Sequence, residues 1–497
     1  MANILLMGWD LLHGNVLLHG WHMSDVSFYP TELVQYALLE SVLSLHMMTA
    51  HIAAAMTYTI VVLLVVLLAR GAASGPQALT RTLIAGGIMV APQLSAGVYA
   101  VDLAVGHIGT SVPLLLGWLL LDRVGRAHSA PERPVPRASP LGPGRGAPFG
   151  SREWRVPALI AVLLAWVLVA DPVVEITGIA PLALVAGLRF AWRLVHRRPD
   201  WYAAALACAA IASYALAWLV QALLRALGGY VVSPLPVHFL TIAEIPALGP
   251  ALWHVLDLFG ADFHGMRTGV PLFLAAAHLV SVALTIVALG RCIRRGVPLV
   301  DQVLAVGIVL NVVLYLGTRA STQGAHEIAV VLPYAAALTA RMLAQPLGSH
   351  ITMGAKAGAA GRTCAVAGVL VLCGYLAGFG YELTFPGSPP ANSALASWLL
   401  AHDLRSGLAN YWQSSSVTVD SGDRVTVRAV TGSLSPYLWM ADMAWYDPEL
   451  NKPNFLVLQE PSSSMLAALN RRFGPAAHEY HVDHYTVLTW HRNLLRG

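Results

Sequence analysis

Charge is what this chain has least of. Only 11% of its 497 residues are Asp, Glu, Lys or Arg, where a soluble globular domain carries about 25%. With 57% hydrophobic residues, that balance excludes an ordinary soluble domain and identifies an integral membrane protein. Cysteine is scarce as well. Cys208, Cys292, Cys364 and Cys373 all lie in or beside apolar runs and none falls in the polar C-terminal stretch, so neither a disulfide framework nor a thiolate metal site is expected. Familiar catalytic signatures are missing too: no GxGxxG, P-loop, HExxH, GxSxG or CxxC pattern stands in a context that would let it act. The histidines are scattered. His13, His19 and His22 are spaced by six and three, and His481 and His484 lie in a strand-like run, where a three-residue spacing does not put two rings on one face. Interface or solvent positions suit both sets better than metal ligation.

Apolar sequence is abundant. About ten runs of spanning or near-spanning length recur: residues 50–69, 83–98, 108–121, 156–170, 173–188, 202–224, 269–290, 299–317, 325–340 and 363–380. Several fall short of the roughly 20 residues a straight span needs. The pair around Asp171 and Pro172 reads either as two short helices meeting near a membrane surface or as one re-entrant hairpin. Arginine then orients the bundle. Arg70 and Arg81, the Arg-rich stretch 123–155, the cluster Arg189, Arg193, Arg197 and Arg198, the cluster Arg291, Arg294 and Arg295, and Arg341 with Lys356 and Arg362 fall in alternate loops, which the positive-inside rule assigns to the cytoplasm. The intervening loops, including everything after Tyr381, then face outward. Segment 126–152 is rich in Pro, Gly and Arg with no apolar period, and reads as a disordered cytoplasmic loop. Topology accounts for its arginines, and nucleic acid is not expected as a partner.

Five segments follow: a first outer loop with an interface helix (1–49), a front part of the bundle (50–121), the basic loop (122–154), a back part (155–380) and an extracytoplasmic C-terminal domain (381–497). The C-terminal domain opens with a linker, PGSPPANS, then a helical stretch, SALASWLLAHDLRSGLANYW. Strand-like runs follow in SVTVDSGDRVTVRAV, FLVLQE and HEYHVDHYTVLTW. About 110 residues suffice for a small α+β domain. Its Trp412, Trp439, Trp445 and Tyr446 suit either sugar stacking or a core and interface role. The loop 228–269 mixes apolar and acidic residues around Trp253, His254, Asp257 and Asp262, and reads as a lid or as plain loop packing. The fold class is thus mainly α: a polytopic transmembrane bundle with a small outward α+β domain. Residues 1–7, MANILLM, read as the end of a helix, which fits either a preceding span or a short N-tail carried across by the first long helix.

Chemistry has to come from outward-facing ionisable groups. The stretch 8–46, GWDLLHGNVLLHGWHMSDVSFYPTELVQYALLESVLSLH, carries Asp10, Asp25, Glu32 and Glu40 among Trp9, Trp21, Phe28 and Tyr29. It is too polar to cross a bilayer and too aromatic for a linker, and suits the headgroup level of a membrane. The next outer loops add Asp102 with His107, then Asp171 with Glu175, then Glu327 beside His326 near Arg319. Acids in every outer loop are costly near a bilayer unless water, a partner or a function accounts for them.

This plan resembles the GT-C superfamily of polytopic glycosyltransferases, with its acidic first outer loop, interface helix and extracytoplasmic C-terminal domain. The segments GWDLLHGNVLLHGWHMSDVSFYPTEL, GHIGTSVPLLLGWLLLDR, HEIAVVLPYAAALTAR and GLANYWQSSSVTVDSGDRVTV are similar to those of a group of actinobacterial membrane proteins of that type. The resemblance implies transfer of a sugar from a polyprenyl-phosphate carrier at the outer face, with inversion, to an envelope glycan or lipid acceptor. It further implies a carboxylate base in the first outer loop, for which Asp10 and Asp25 are the candidates. Glu32, Asp102, His107 and Asp171 are candidates for substrate binding, with a divalent cation as an optional cofactor at the second loop. Arg319, an outer-facing Arg against the positive-inside trend, is the candidate for the carrier phosphate. The competing reading is a non-catalytic envelope membrane protein. A secondary transporter fits less well, because few charges lie deep in the spans and no repeat is evident.

Overall fold

The computed structural model describes residues 1–93, 107–129, 154–233, 237–263, 268–294, 296–318, 324–352, 359–384, 390 and 392–496. Every apolar run overlaps a helix. Five helices among the described residues are long and apolar enough to cross a membrane: Met47–Arg70, Glu175–Val195, Trp201–Ala226, Val270–Cys292 and Leu299–Gly317. Shorter apolar helices cover Ala2–Leu12, Arg155–Ala170 and Val331–Ala344. The span that follows Asp171 starts with one π-helical segment, Glu175–Ile179. The chain divides into two compact units: residues 1–54, 219–235 and 386–497 form one, and residues 55–218 and 236–385 form the other.

In the helical unit, buried charges from three helices meet at one arginine. Arg341 is buried in helix Val331–Thr352. Its Nη2 donates to Asp122 Oδ1 at 2.8 Å, its Nε to Asp301 Oδ1, and its Nη1 to the Leu68 carbonyl at 2.8 Å. Four helices are tied at one point by this guanidinium. Arg189 donates to Gln302 and the Val297 carbonyl, Arg291 to the Met342 carbonyl at 3.0 Å, and Arg81 to the Ala69 and Arg70 carbonyls. The arginines that sequence pattern assigns to alternate loops therefore gather at one end of this unit. Trp118 Nε1 donates to Tyr334 Oη at 2.7 Å, and Tyr334 donates to the Thr177 carbonyl at 3.0 Å.

The other unit contains two sheets. A three-stranded sheet joins β1 (Trp21–Met23) to β2 (Val231–Val232) and β5 (Ala441–Asp442), in the order β2-β1-β5. A five-stranded sheet orders β3 (Ser406–Ala409), β4 (Thr426–Ala429), β6 (Phe455–Gln459), β7 (His478–Val482) and β8 (Tyr485–Thr489) as β4-β3-β6-β8-β7. The three strands β4, β3 and β6 are parallel, and β8 and β7 are antiparallel to their neighbours. Alternation along the strands serves both faces. Ala409, Phe455 and Val487 pack under Leu395, Leu399 and Val417, while Leu408, Leu456 and Leu488 pack under Leu469 and Phe473. This burial on both sides explains why FLVLQ reads as a continuous apolar run.

Two short segments exchange their expected states. SVTV, strand-like by composition, lies in the helix Tyr411–Asp420, and SGLA, inside the expected helix, is β3. The helix begins where Asn410 accepts from the Trp412 amide at 3.0 Å, and Thr418 bonds back to the Ser414 carbonyl at 3.1 Å. Burying Val417 beneath the sheet outweighs the β-propensity of Val and Thr. At β3 a side chain is excluded, since a Cβ on Gly407 would lie 2.1 Å from the Phe455 ring.

Removing the guanidinium at 341 leaves Asp122 and Asp301 buried without their shared cation. Arg341→Met is expected to destabilise the helical unit by about 3–5 kcal/mol. Adding Asp122→Leu and Asp301→Leu should restore most of the loss, as followed by thermal unfolding in detergent. Equal melting of the single and triple variants would contradict this account.

Candidate functional site

The stretch 8–46 is folded around Asp10. Helix Ala2–Leu12 carries Asp10 in its last turn, and the chain turns back so that Asn15 Nδ2 and Trp21 Nε1 both donate to Asp10 Oδ2, at 2.7 and 2.8 Å. Oδ1 makes no hydrogen bond to the described residues. Asp10 is half-buried, so one oxygen is fixed and the other is left to accept. The turn itself is pinned: Asn15 Oδ1 accepts from the His19 amide, and His19 Nδ1 lies 2.7 Å from the Gly228 carbonyl.

Residues from the C-terminal part complete this cluster. β5 pairs with β1 through Trp21 and Asp442, and the Met443 amide donates to the Gly20 carbonyl at 3.0 Å. Trp445 meets Trp21 edge-on at 5.0 Å, and the Arg428 guanidinium lies 4.1 Å over the Trp445 ring. Arg428 Nε and Nη1 are buried with no hydrogen-bond partner among the described residues. Burial lowers Arg428 to about 10, opposed by Asp423, Tyr446, Asp442 and Asp10. Asp442 is raised, first by burial and then by the Asp10 carboxylate, against the Ala444 amide and Arg428. The arrangement is two neighbouring carboxylates and one cation set against aromatic faces. It can accept a proton and offer acceptors to hydroxyl groups.

A second cluster occupies the helical unit. His107, in the left-handed region at φ 50°, sits before helix Ser111–Ser129. Its Nδ1 donates to Asp171 Oδ2 at 2.8 Å, and its Nε2 faces Glu327 Oε2 at 3.6 Å. Thr110 also donates to Asp171 Oδ2, and the Val173 amide to Oδ1 at 2.9 Å. His326 Nε2 lies 3.2 Å from the other Glu327 oxygen. Nearby in sequence, the Tyr315 hydroxyl donates to the Gly324 carbonyl, which makes His254 Nδ1, at 2.7 Å, the donor to that hydroxyl. Burial would lower His107, but Asp171 and Glu327 overcome it and hold the imidazole well above its usual value of 6.5. Burial would likewise raise Glu327, and His107 with His326 bring it down to about 2. His107 is thus an imidazolium between two carboxylates.

Of the residues singled out by sequence, His107 and Asp171 are brought into contact and Asp10 gains a defined setting. Asp25 lies in the bend after β1 and Glu32 is buried at the start of helix Glu32–Leu43, where Thr31 donates to it. Both belong to the unit of Asp10. Asp102 and Arg319 fall outside the described residues. Sequence reasoning did not reach Arg428, Asp442 or Thr110, and nothing in their local pattern marks them. Glu327 was visible as an outer-loop acid, without a partner. Among the described residues no group of three or more His, Cys, Asp or Glu is placed to hold a metal ion.

No protein-family model matches the sequence, and neither does any curated protein. Solved structures do match. ArnT from Cupriavidus metallidurans bound to undecaprenyl phosphate superposes with a TM-score of 0.53, covering 98% of this chain and 92% of that one at 14% identity. The two chains share their overall fold. The same enzyme in its apo state gives a TM-score of 0.50 at 12% identity, again over 98% and 92% of the two chains. The archaeal oligosaccharyltransferase AglB from Archaeoglobus fulgidus, in complex with an inhibitory peptide and a dolichol-phosphate, gives 0.48 at 10% identity, over 92% of this chain and 65% of its own.

The His107 cluster predicts a pH signature. The imidazolium's stabilisation is complete below pH 6.5 and is lost as pH rises through its raised value, while that of Glu327 is complete above pH 4.5 and is lost as pH falls toward about 2. His107→Gln should therefore cost about 1–3 kcal/mol at mildly acidic pH and progressively less at either extreme. Melting curves of both proteins in detergent across pH check it, and a difference independent of pH would rule out the charged imidazole.

Proposed function

We propose that this protein is a membrane glycosyltransferase that moves a sugar from a polyprenyl-phosphate donor to an envelope acceptor at the outer face of the membrane. The reading is supported above all by Asp10: a half-buried carboxylate with one oxygen fixed by two donors and the other open, in a chain with the ArnT fold. Undecaprenyl phosphate is the molecule bound in that ArnT structure, and a polyprenyl phosphate is the leaving group proposed here.

The displacement runs as one step. The acceptor hydroxyl attacks the anomeric carbon, the bond from that carbon to the phosphate oxygen breaks, and configuration inverts. Asp10 Oδ1 takes the hydroxyl proton, while Asn15 and Trp21 keep the carboxylate oriented. The departing phosphate needs cationic donors, a role proposed for Arg319. His107, Asp171 and Glu327 are proposed to bind sugar or acceptor hydroxyls, with Glu32 and Asp102 as further substrate contacts and Asp25 as the second candidate for the base. The proposed topology has ten spans, with the unit holding residues 386–497 and the first outer stretch on the extracytoplasmic side. It is supported by the gathering of Arg81, Arg189, Arg291 and Arg341 at one end of the helical unit. The similarity of the quoted segments to actinobacterial proteins suggests an arabinan, mannan or teichoic-type acceptor.

Radiolabelled polyprenyl-phosphate sugars presented to the protein in nanodiscs test this. Asp10→Asn is expected to reduce transfer by about 10²–10⁴-fold while leaving donor binding intact, and Asp25→Asn to have the smaller effect. Absence of binding to any polyprenyl donor would overturn the proposal in favour of a non-catalytic envelope protein.

A further inference from the structure

The basic end of the helical unit contains a pocket of about 310 Å³. It lies where helix Met47–Arg70 ends and helix Ser111–Ser129 nears its own end, with Arg70 and Arg123 from the two helices in its wall. Its wall also includes Gly71, whose φ is +54° and where a Cβ would stand 3.1 Å from Arg341 Nη1. The pocket thus adjoins the buried ion cluster, and a side chain at 71 would be both strained and obstructed.

The charges around it do not balance. Arg341 is matched by Asp122 and Asp301, and Arg81 caps the Ala69 and Arg70 carbonyls. The side chains of Arg70 and Arg123 are exposed and form no ion pair or hydrogen bond with the described residues. Two guanidinium groups from separate helices therefore share one concavity with no acid of their own. Their planar forks suit phosphate oxygens. The remaining wall is apolar, with Leu67, which is 48% exposed, and Leu119 one turn before the arginines. An ordinary positive-inside loop requires only arginines in water. It does not require a recess pairing them with an apolar wall.

We propose that this pocket binds the phosphate of an anionic phospholipid headgroup, with Arg70 and Arg123 on the phosphate and Leu67 and Leu119 against the glycerol and first acyl carbons. Basic recesses between membrane helices are suited to such headgroups. The site stands apart from the proposed transfer chemistry, and loss of transferase activity has no bearing on it.

The test uses the full chain in nanodiscs of phosphatidylcholine doped with phosphatidylglycerol or cardiolipin, with retained lipid counted by native mass spectrometry. Arg70→Gln with Arg123→Gln should weaken retention of the anionic lipid by about tenfold or more. Arg197→Gln with Arg198→Gln, which removes the same charge elsewhere, should leave retention near the original. Matching melting temperatures in lipid-free detergent establish that the variants are folded. Equal retention by the pocket variant, or an equal drop in the control pair, would overturn the site. Stabilisation by glycerol 3-phosphate equal to that by the lipid would overturn the lipid as its source.

Discussion

An ionisable side chain inside an apolar bundle has two stable options: a fully bonded partner, or a place at the end of a helix. Both are used here, and the rest of the helical unit follows from them. Arg341 takes the first, enclosed by Asp122, Asp301 and the Leu68 carbonyl. Tyr315 and Asp301 mark opposite ends of the helix Leu299–Gly317, fourteen residues apart, or about 21 Å at 1.5 Å per residue. The arginine cluster belongs to the Asp301 end, and Tyr315 shares its end with His254 and the Gly324 loop that leads to Glu327.

Much of this could be read from sequence because it depends on composition and period. Helices Met47–Arg70 and Val270–Cys292 announce themselves by length and apolarity, and the arginines by their alternation. Contacts across long separations could not be read that way. Asp171 and Glu327 reach His107 from 64 and 220 residues further along the chain, and only the packing of three helices brings them together. The same holds for Tyr411–Asp420, where local propensity favours a strand and the sheet it covers decides otherwise. Sequence identified the acids around His107 individually. It gave no sign of which would meet.

The N-terminal stretch and the C-terminal region are parts of one unit. Trp21 is the joint. Its indole donates to Asp10, its ring packs on Trp445, and its backbone pairs with Asp442. Because Arg428 stacks on Trp445, a cation from the far end of the chain is held close to a carboxylate near residue 10. A tail that merely followed the membrane domain would need none of this. The environment of Asp10 is instead built from both ends of the sequence, which gives the C-terminal region a direct part in any chemistry at that carboxylate.

The two clusters also differ in what they can hold. Around His107, one imidazolium is set between Asp171 and Glu327, so those three groups together carry a net negative charge while the imidazole is protonated. A phosphate would meet carboxylate oxygens there and be repelled, whereas hydroxyl groups would find acceptors already oriented by Thr110 and the Val173 amide. Hydroxyl groups, and not phosphates, are therefore the ligands whose chemistry this cluster suits.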